Sequence, residues 1–499
     1  MHGDEANQAH RFELLLNTQT FKYEPIDYHG PTLYFMTLPF AWIMGLDQFE
    51  MSTKTFFRSV PVFFSMLMAL GSLLFIKQLG KIGVLALALF IMTSPAMVYY
   101  STYYIQETLL ICFSLAFIAS LWNYLNRPSF LWAMMSGGAL GLMQATKETF
   151  ILSMAALCLS LILAKKLNPH WRTSAHFKKH LIYAGLTAIT ISIIFYSSFF
   201  SNAKGPLDSL TAFTHQIQRG LGNTEFKEQY TSGIAHSKSS SYYLETLFGD
   251  YPKKVSSTLK SILRNSPDRS ITEIIFFILP FLGLFYLKRQ SKFFCHAYWV
   301  SLSYSLALMV IYSLIPYKTP WCLLSFLLGF MFVSALSVNF ILLDWRLHRS
   351  KAFALLSLIL IIDLTRQAAL INDENFCVTD KNPYAYVQPY YDVENLSNRI
   401  HQFAELDGRD RDMPIHFLTN DYWPMPWYLK RYNKIGYWEK QEPNLDFNNC
   451  PVVITTPDRT QLITKLEKTH TSEYRGRMPG YHYLVFYKNE LWNRFHESL

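Results

Sequence analysis

Residues 106–125 read QETLLICFSLAFIASLWNYL. After Glu107 the stretch holds no charged residue. As a helix it would be about 30 Å long, the thickness of the hydrocarbon core of a bilayer. Comparable blocks recur at 57–76, 82–99, 130–146, 149–164, 181–200, 271–287, 294–315, 320–343 and 352–371, giving about ten expected spans. The apolar segment 32–46 is short and carries Pro39, with Pro31 just before it, so it is expected along the interface or as a re-entrant piece. Composition agrees: 51% of the 499 residues are hydrophobic and only 16% charged, against about 25% charged in a soluble protein. A soluble enzyme, a disordered tail protein and a disulfide scaffold are excluded.

The basic residues orient the chain. Alternate short loops hold Lys77 and Lys81, Arg127, Lys165 to Lys179, Lys288 to Lys292, and Arg346 to Lys351. The short loops on the other side hold only Lys147 and Lys318. The positive-inside rule puts the first set in the cytoplasm. The expected organisation is then an outer N-terminal segment with an interfacial helix at 1–56, a membrane module at 57–372 with an outer loop at 201–270, and an extracytoplasmic α/β domain at 373–499. The expected location is the cytoplasmic (inner) membrane. An N-terminus that starts outside is most simply explained by a membrane helix preceding this sequence; an in-frame upstream stretch coding about 20 apolar residues would support it.

In the C-terminal region, 414–419, 452–456 and 481–487 read as strands, and 426–432 and 458–469 as helices. No Gly-rich phosphate loop, C-x-x-C or H-E-x-x-H occurs. Six cysteines are too few for a disulfide framework; Cys377 and Cys450 are the two available to pair outside the apolar blocks. The net charge of +9 comes from the cytoplasmic loops, and no nucleic-acid partner is expected.

Unusual polar groups gather on the outer side: Asp4 and Glu5, Glu107 at a helix start, Lys147 and Glu148 in the turn A-T-K-E-T, and Lys318 in P-Y-K-T-P. His29 and Tyr317 stand in the same outer loops and join Glu107, Lys147, Glu148 and Lys318 as candidate substrate-binding residues. Carboxylates and ammonium groups at one membrane face suit transfer of a sugar from a lipid phosphate. A carboxylate takes the acceptor's proton, and a lysine offsets the charge gathering on the departing phosphate. Each residue also has a plainer reading: Asp4 and Glu5 as charges complementing a helix dipole before Ala6 to Leu16, Glu107 as a first-turn acid, Lys147 and Glu148 as a solvated turn, Lys318 as an interfacial anchor, and His29 as a turn residue. Trp423, Trp427 and Trp438 suit either a glycan contact or a small core.

Several strings resemble the GT-C superfamily of polyprenyl-phosphate-sugar-dependent glycosyltransferases: Asp4-Glu-Ala6, Tyr28-His-Gly-Pro-Thr-Leu-Tyr34, Tyr99 through Glu107, Ala145-Thr-Lys-Glu-Thr149, Tyr312 through Trp321, Tyr422 through Tyr428, and Gly436-Tyr-Trp438. Within it, the chain is most similar to the branch related to protein O-mannosyltransferases and known as flippase-activity-associated membrane proteins. The resemblance implies an inverting transferase taking a sugar from a polyprenyl phosphate to a cell-envelope glycan, lipid or protein. It implies Asp4 as catalytic base or metal-contacting group, with Glu5 its companion and Glu107 the second acidic position. Asp4 and Glu107 are the positions a divalent metal would take, the one cofactor in question. Family members carry a membrane helix before the acidic loop, which is expected here to precede this sequence, and Thr102 stands where Arg is common. The competing expectation is a transporter or flippase component for lipid-linked glycans, which would need polar groups near the bilayer midplane.

Overall fold

A computed structural model describes residues 1–26, 29–167, 176–220, 237–248, 273–344, 347–374, 376–379, 381–419, 421–439, 447 and 450–497. The expected outer loop 201–270 falls largely outside the described residues. The chain divides into two units: one of Met1–Glu13, Leu46–Lys54 and Ala385–Leu499, the other of Leu14–Gly45 and Thr55–Tyr384.

The second unit is helical. The first ten helices of the chain are α1 (Gly3–Thr18), α2 (Thr32–Met44), α3 (Lys54–Gly71), α4 (Ile76–Thr93), α5 (Pro95–Ser101), α6 (Glu107–Asn126), α7 (Phe130–Gln144), α8 (Phe150–Leu167), α9 (Phe177–Tyr196) and α10 (Gly205–Gly220). Long apolar helices follow at Ile275–Leu287, Lys292–Leu314, Leu324–Asp344 and Leu347–Ile371. Among the described residues, six helical stretches are long and apolar enough to cross a membrane: 54–93, 107–126, 177–196, 292–314, 320–343 and 351–371. The stretches 32–44, 150–163 and 275–287 are apolar but shorter.

The expected helix 82–99 is broken in two. The hydroxyl of Ser94 accepts from the N–H of Met97, and Pro95 supplies the first residue of α5 without an N–H to leave unpaired. Close packing elsewhere depends on small residues. A Cβ on Gly137 of α7 would meet the Ala184 carbonyl of α9 at 2.2 Å, and one on Gly141 would meet that of Ala188 at 2.5 Å. Glycines four residues apart let the two backbones touch.

The first unit is α/β. Its sheet runs β2 (Ile435–Trp438), β1 (Ile415–Leu418), β3 (Val452–Thr455), β5 (Tyr481–Lys488), β4 (His470–Met478). β1 is parallel to both β2 and β3, whereas β5 is antiparallel to β3 and β4. Helices Asp392–Asp407 and Asn489–Glu497 cover one face, with Phe403 stacked on Tyr487 at 4.1 Å and on Phe495 at 4.9 Å. Trp427 and Trp438 are packing residues here: Trp427 lies edge-on to Phe49 at 5.7 Å, and Trp438 meets His416 at 4.8 Å. Cys377 and Cys450 are free thiols, so the pairing left open by the sequence is not made.

The N-terminus belongs to this same unit. The Met1 amine donates to the Tyr428 hydroxyl. His2 accepts from the N–H of Asp4 through Nδ1 at 3.0 Å, so its Nε2–H donates to the Tyr386 carbonyl at 2.7 Å. Segment 46–54 is held by Lys54 on Glu394 at 2.5 Å and by Lys430, which donates to the Ser52 carbonyl at 2.5 Å.

Candidate functional site

In the second unit, two of the sequence motifs are fastened together. The N–H of Thr32 donates to the Ala145 carbonyl at 3.1 Å, and the Thr32 hydroxyl to that of Thr146 at 2.7 Å. Gly30 lies against the same peptide: a Cβ there would fall 2.1 Å from the Ala145 oxygen. The chain before α2 is thereby laid across the A-T-K-E-T turn between α7 and α8.

That turn presents two charges to different partners. The Lys147 ammonium pairs with the Glu107 carboxylate in the first turn of α6, both side chains less than a tenth exposed. Burial pulls the amine's pKa down, but the Glu107 charge and its hydrogen bond outweigh it, and the ammonium is held above its ordinary value. Tyr312 and Cys322 are further neighbours of the amine. Glu107 also sits where a helix dipole favours negative charge. Glu148 is buried and accepts from His29 Nδ1–H at 2.9 Å and from the Tyr23 hydroxyl at 3.1 Å. Burial works against its charge, yet the His29 charge and hydrogen bond hold its pKa below the usual carboxylate range. The His29 side chain is about a quarter exposed (26%). Tyr23, which the sequence reading overlooked, packs edge-on to Tyr196 at 4.8 Å.

Lys318 stands apart from these pairs. It is 1% exposed, and its ammonium donates to the carbonyls of Ile315 at 2.5 Å and Lys238 at 3.3 Å. No carboxylate pairs with it among the described residues, and burial lowers its pKa. Tyr317 next to it bridges to Ser237 through the backbone.

Another buried acid was missed. Glu273 accepts from the Ser94 hydroxyl at 2.9 Å, from the N–H of Ala96 at 2.7 Å and from the Tyr384 hydroxyl at 3.2 Å. Tyr384 in turn accepts at its carbonyl from the Tyr100 hydroxyl at 2.9 Å. These contacts pin the start of α5 and the chain beyond the last apolar helix. Nothing in the sequence near Glu273 advertises them.

An apolar cavity lies between α6, α8, Lys292–Leu314 and Leu324–Asp344, walled by Ile111, Leu115, Leu157, Leu328 and Phe332, with Tyr304 adding a hydroxyl.

Asp4 and Glu5 belong to the other unit. Glu5 is fully buried and accepts from the N–H of His2 at 3.0 Å, three residues before it. That is a capping contact at the start of α1. Asp4 is half exposed (52%), with His2 Nδ1 at 3.8 Å from its carboxylate. Among the described residues, no group of three His, Cys, Asp or Glu is placed to hold a metal. The Glu107 carboxylate is paired with the Lys147 ammonium.

No protein-family model matches the chain, and no curated protein sequence does. Solved structures do. ArnT from Cupriavidus metallidurans in the apo state superposes with a TM-score of 0.59 at 13% identity, covering 98% of this chain and 94% of that one. The same protein bound to undecaprenyl phosphate gives 0.59 at 14% identity, with the same coverage. The Archaeoglobus fulgidus oligosaccharyltransferase tethered to an acceptor peptide with an NVT sequon gives 0.53 at 11% identity, covering 98% of this chain and 72% of that one. At these identities the likeness is one of fold.

Proposed function

We propose that the chain is an integral-membrane glycosyltransferase that moves a sugar, with inversion, from a polyprenyl-phosphate carrier to a cell-envelope glycan, lipid or protein. The observation that carries this is the fold shared over nearly the whole chain with a protein solved with undecaprenyl phosphate bound. Both neighbours are GT-C glycosyltransferases, the superfamily the motifs resemble. The reading keeps the expected topology: about ten crossings of the cytoplasmic membrane, with the C-terminal domain outside.

The residues of the second unit supply suitable chemistry. Lys318 is a buried positive charge whose hydrogen-bond partners among the described residues are carbonyls, and a phosphate would complete its neutralisation. Lys147 is balanced by Glu107, so that pair offers orientation rather than net charge. The apolar cavity suits an isoprenoid chain, whose burial is worth about 25 cal/mol per Å². Asp4, half exposed in the first unit, is the residue that the resemblance gives as base.

Proteoliposomes loaded with undecaprenyl-phosphate-linked, radiolabelled hexoses and an envelope extract test the proposal. Transfer of label into the extract, with release of undecaprenyl phosphate, is expected. Movement of the carrier between leaflets with no transfer would instead establish a flippase component.

A further inference from the structure

We infer that His29 is a catalytic residue, the group that takes the acceptor's proton, and that Glu148 is its positioning residue. The inference rests on the glycosyltransferase reading and deepens it by naming the base within the second unit.

The geometry is that of an imidazole held at one nitrogen. Glu148 accepts only, so His29 Nδ1 carries the hydrogen of their 2.9 Å bond. The neutral ring therefore presents a lone pair at Nε2, which has no protein partner among the described residues. A buried carboxylate that fixes the tautomer and steadies the imidazolium is the arrangement that makes histidine a working base. The carboxylate is itself fixed: its other oxygen accepts from Tyr23 at 3.1 Å, and Tyr23 packs on Tyr196. The backbone just after His29 is fixed as well, by Gly30 against Ala145 and by Thr32 on Ala145 and Thr146. A histidine that merely filled a turn would need none of this. Its side chain is partly open, while Glu148 beneath it is closed from solvent at 4%.

In the step assigned to it, the acceptor's hydroxyl oxygen forms a bond to the anomeric carbon. The bond from that carbon to the phosphate oxygen breaks, and its electron pair leaves with the polyprenyl phosphate. The hydroxyl proton passes to His29 Nε2, and the imidazolium returns it to solvent. This assignment moves the base's role from Asp4 to His29.

The test uses the full-length protein in proteoliposomes with undecaprenyl-phosphate-linked hexoses. His29→Ala is expected to lower kcat by about 10²- to 10⁴-fold, and added imidazole to restore part of it. His29→Asn, whose amide can keep the Nδ1 hydrogen bond to Glu148, is expected to lower kcat similarly with KM for the donor little changed. Glu148→Gln is expected to lower kcat less than His29→Ala does, with Glu148→Asp recovering part of the loss. If both His29 variants turn over at the parent rate, the inference is overturned while the transferase reading stands. Loss in His29→Ala that imidazole cannot relieve, alongside an Asp4→Ala variant that formate does rescue, would return the role to Asp4. A parent protein that transfers no sugar would remove the transferase reading, and this inference with it.

Discussion

The N–H of Thr32 donates to the carbonyl of Ala145 at 3.1 Å, joining positions 113 residues apart. This one bond shows how the second unit builds its polar site. The segment carrying His29 is laid on the turn carrying Lys147 and Glu148, so short motifs far apart in sequence become neighbours.

Gly30 tests that junction. In Gly30→Ala the new methyl would meet the Ala145 carbonyl carbon and oxygen at 2.4 and 2.1 Å, and backbone must move. A loss of about 1–3 kcal/mol is expected, measured by thermal unfolding in detergent. Transfer activity should fall further than stability does, because His29 and Glu148 are displaced together.

The Lys147–Glu107 pair is buried, and breaking one side leaves an uncompensated charge. Lys147→Met or Glu107→Gln should each destabilise by about 3–5 kcal/mol, while the double variant Lys147→Met/Glu107→Leu should recover most of the loss. Unfolding curves of the three proteins check this; additive losses would contradict the pairing.

Lys430 gives the first unit a pH signature. Its ammonium lies 3.6 Å from the Trp427 ring, and burial pushes its pKa down to about 8 from the 10.5 of an exposed lysine. The fold therefore disfavours the charged form. Below about pH 8 the full penalty is present, and it is relieved as pH rises from 8 toward 10.5, where the unfolded chain still holds its proton. The melting temperature of the parent should rise by a few degrees between pH 7.5 and 9.5 relative to Lys430→Met, about 1 kcal/mol corresponding to 2–4 °C for a large domain. Tryptophan fluorescence during heating reads this out.

Glu5 and Asp4 are adjacent but should respond differently. Glu5→Ala removes the capping contact with His2 and is expected to cost about 1 kcal/mol. Asp4→Asn leaves the fold's contacts in place and should melt with the parent. Equal losses from both would contradict the distinct environments of the two carboxylates.

The apolar helices were legible because runs such as 106–125 have one charge at their start and none after it. Strands β1, β3 and β5 were legible from apolar residues that the core demands. β4 was not: His470 to Met478 is mostly polar, as suits the edge of a sheet, so it offers no apolar alternation to read. β2 was hidden because Gly436 interrupts a four-residue strand that is half-buried throughout. The helix break at Ser94 was readable from Ser-Pro capping chemistry, but the apolar run on both sides masked it. At the site, the motif strings pointed to His29, Glu107, Lys147 and Glu148. Their pairing was not legible, since Lys147 and Glu148 are neighbours whose side chains go to different partners. Tyr23 and Glu273 gave no local signal, because their roles arise only from contacts more than 100 residues away.

A protein that handles a lipid-linked phosphate should bind that lipid once purified. Native mass spectrometry with added undecaprenyl phosphate, undecaprenol and phosphatidylglycerol separates the carrier's headgroup from its chain. Saturable binding of undecaprenyl phosphate, weaker binding of undecaprenol, and loss of that preference in Lys318→Met are expected. Equal binding of all three lipids, or no binding of undecaprenyl phosphate, would contradict the proposed function.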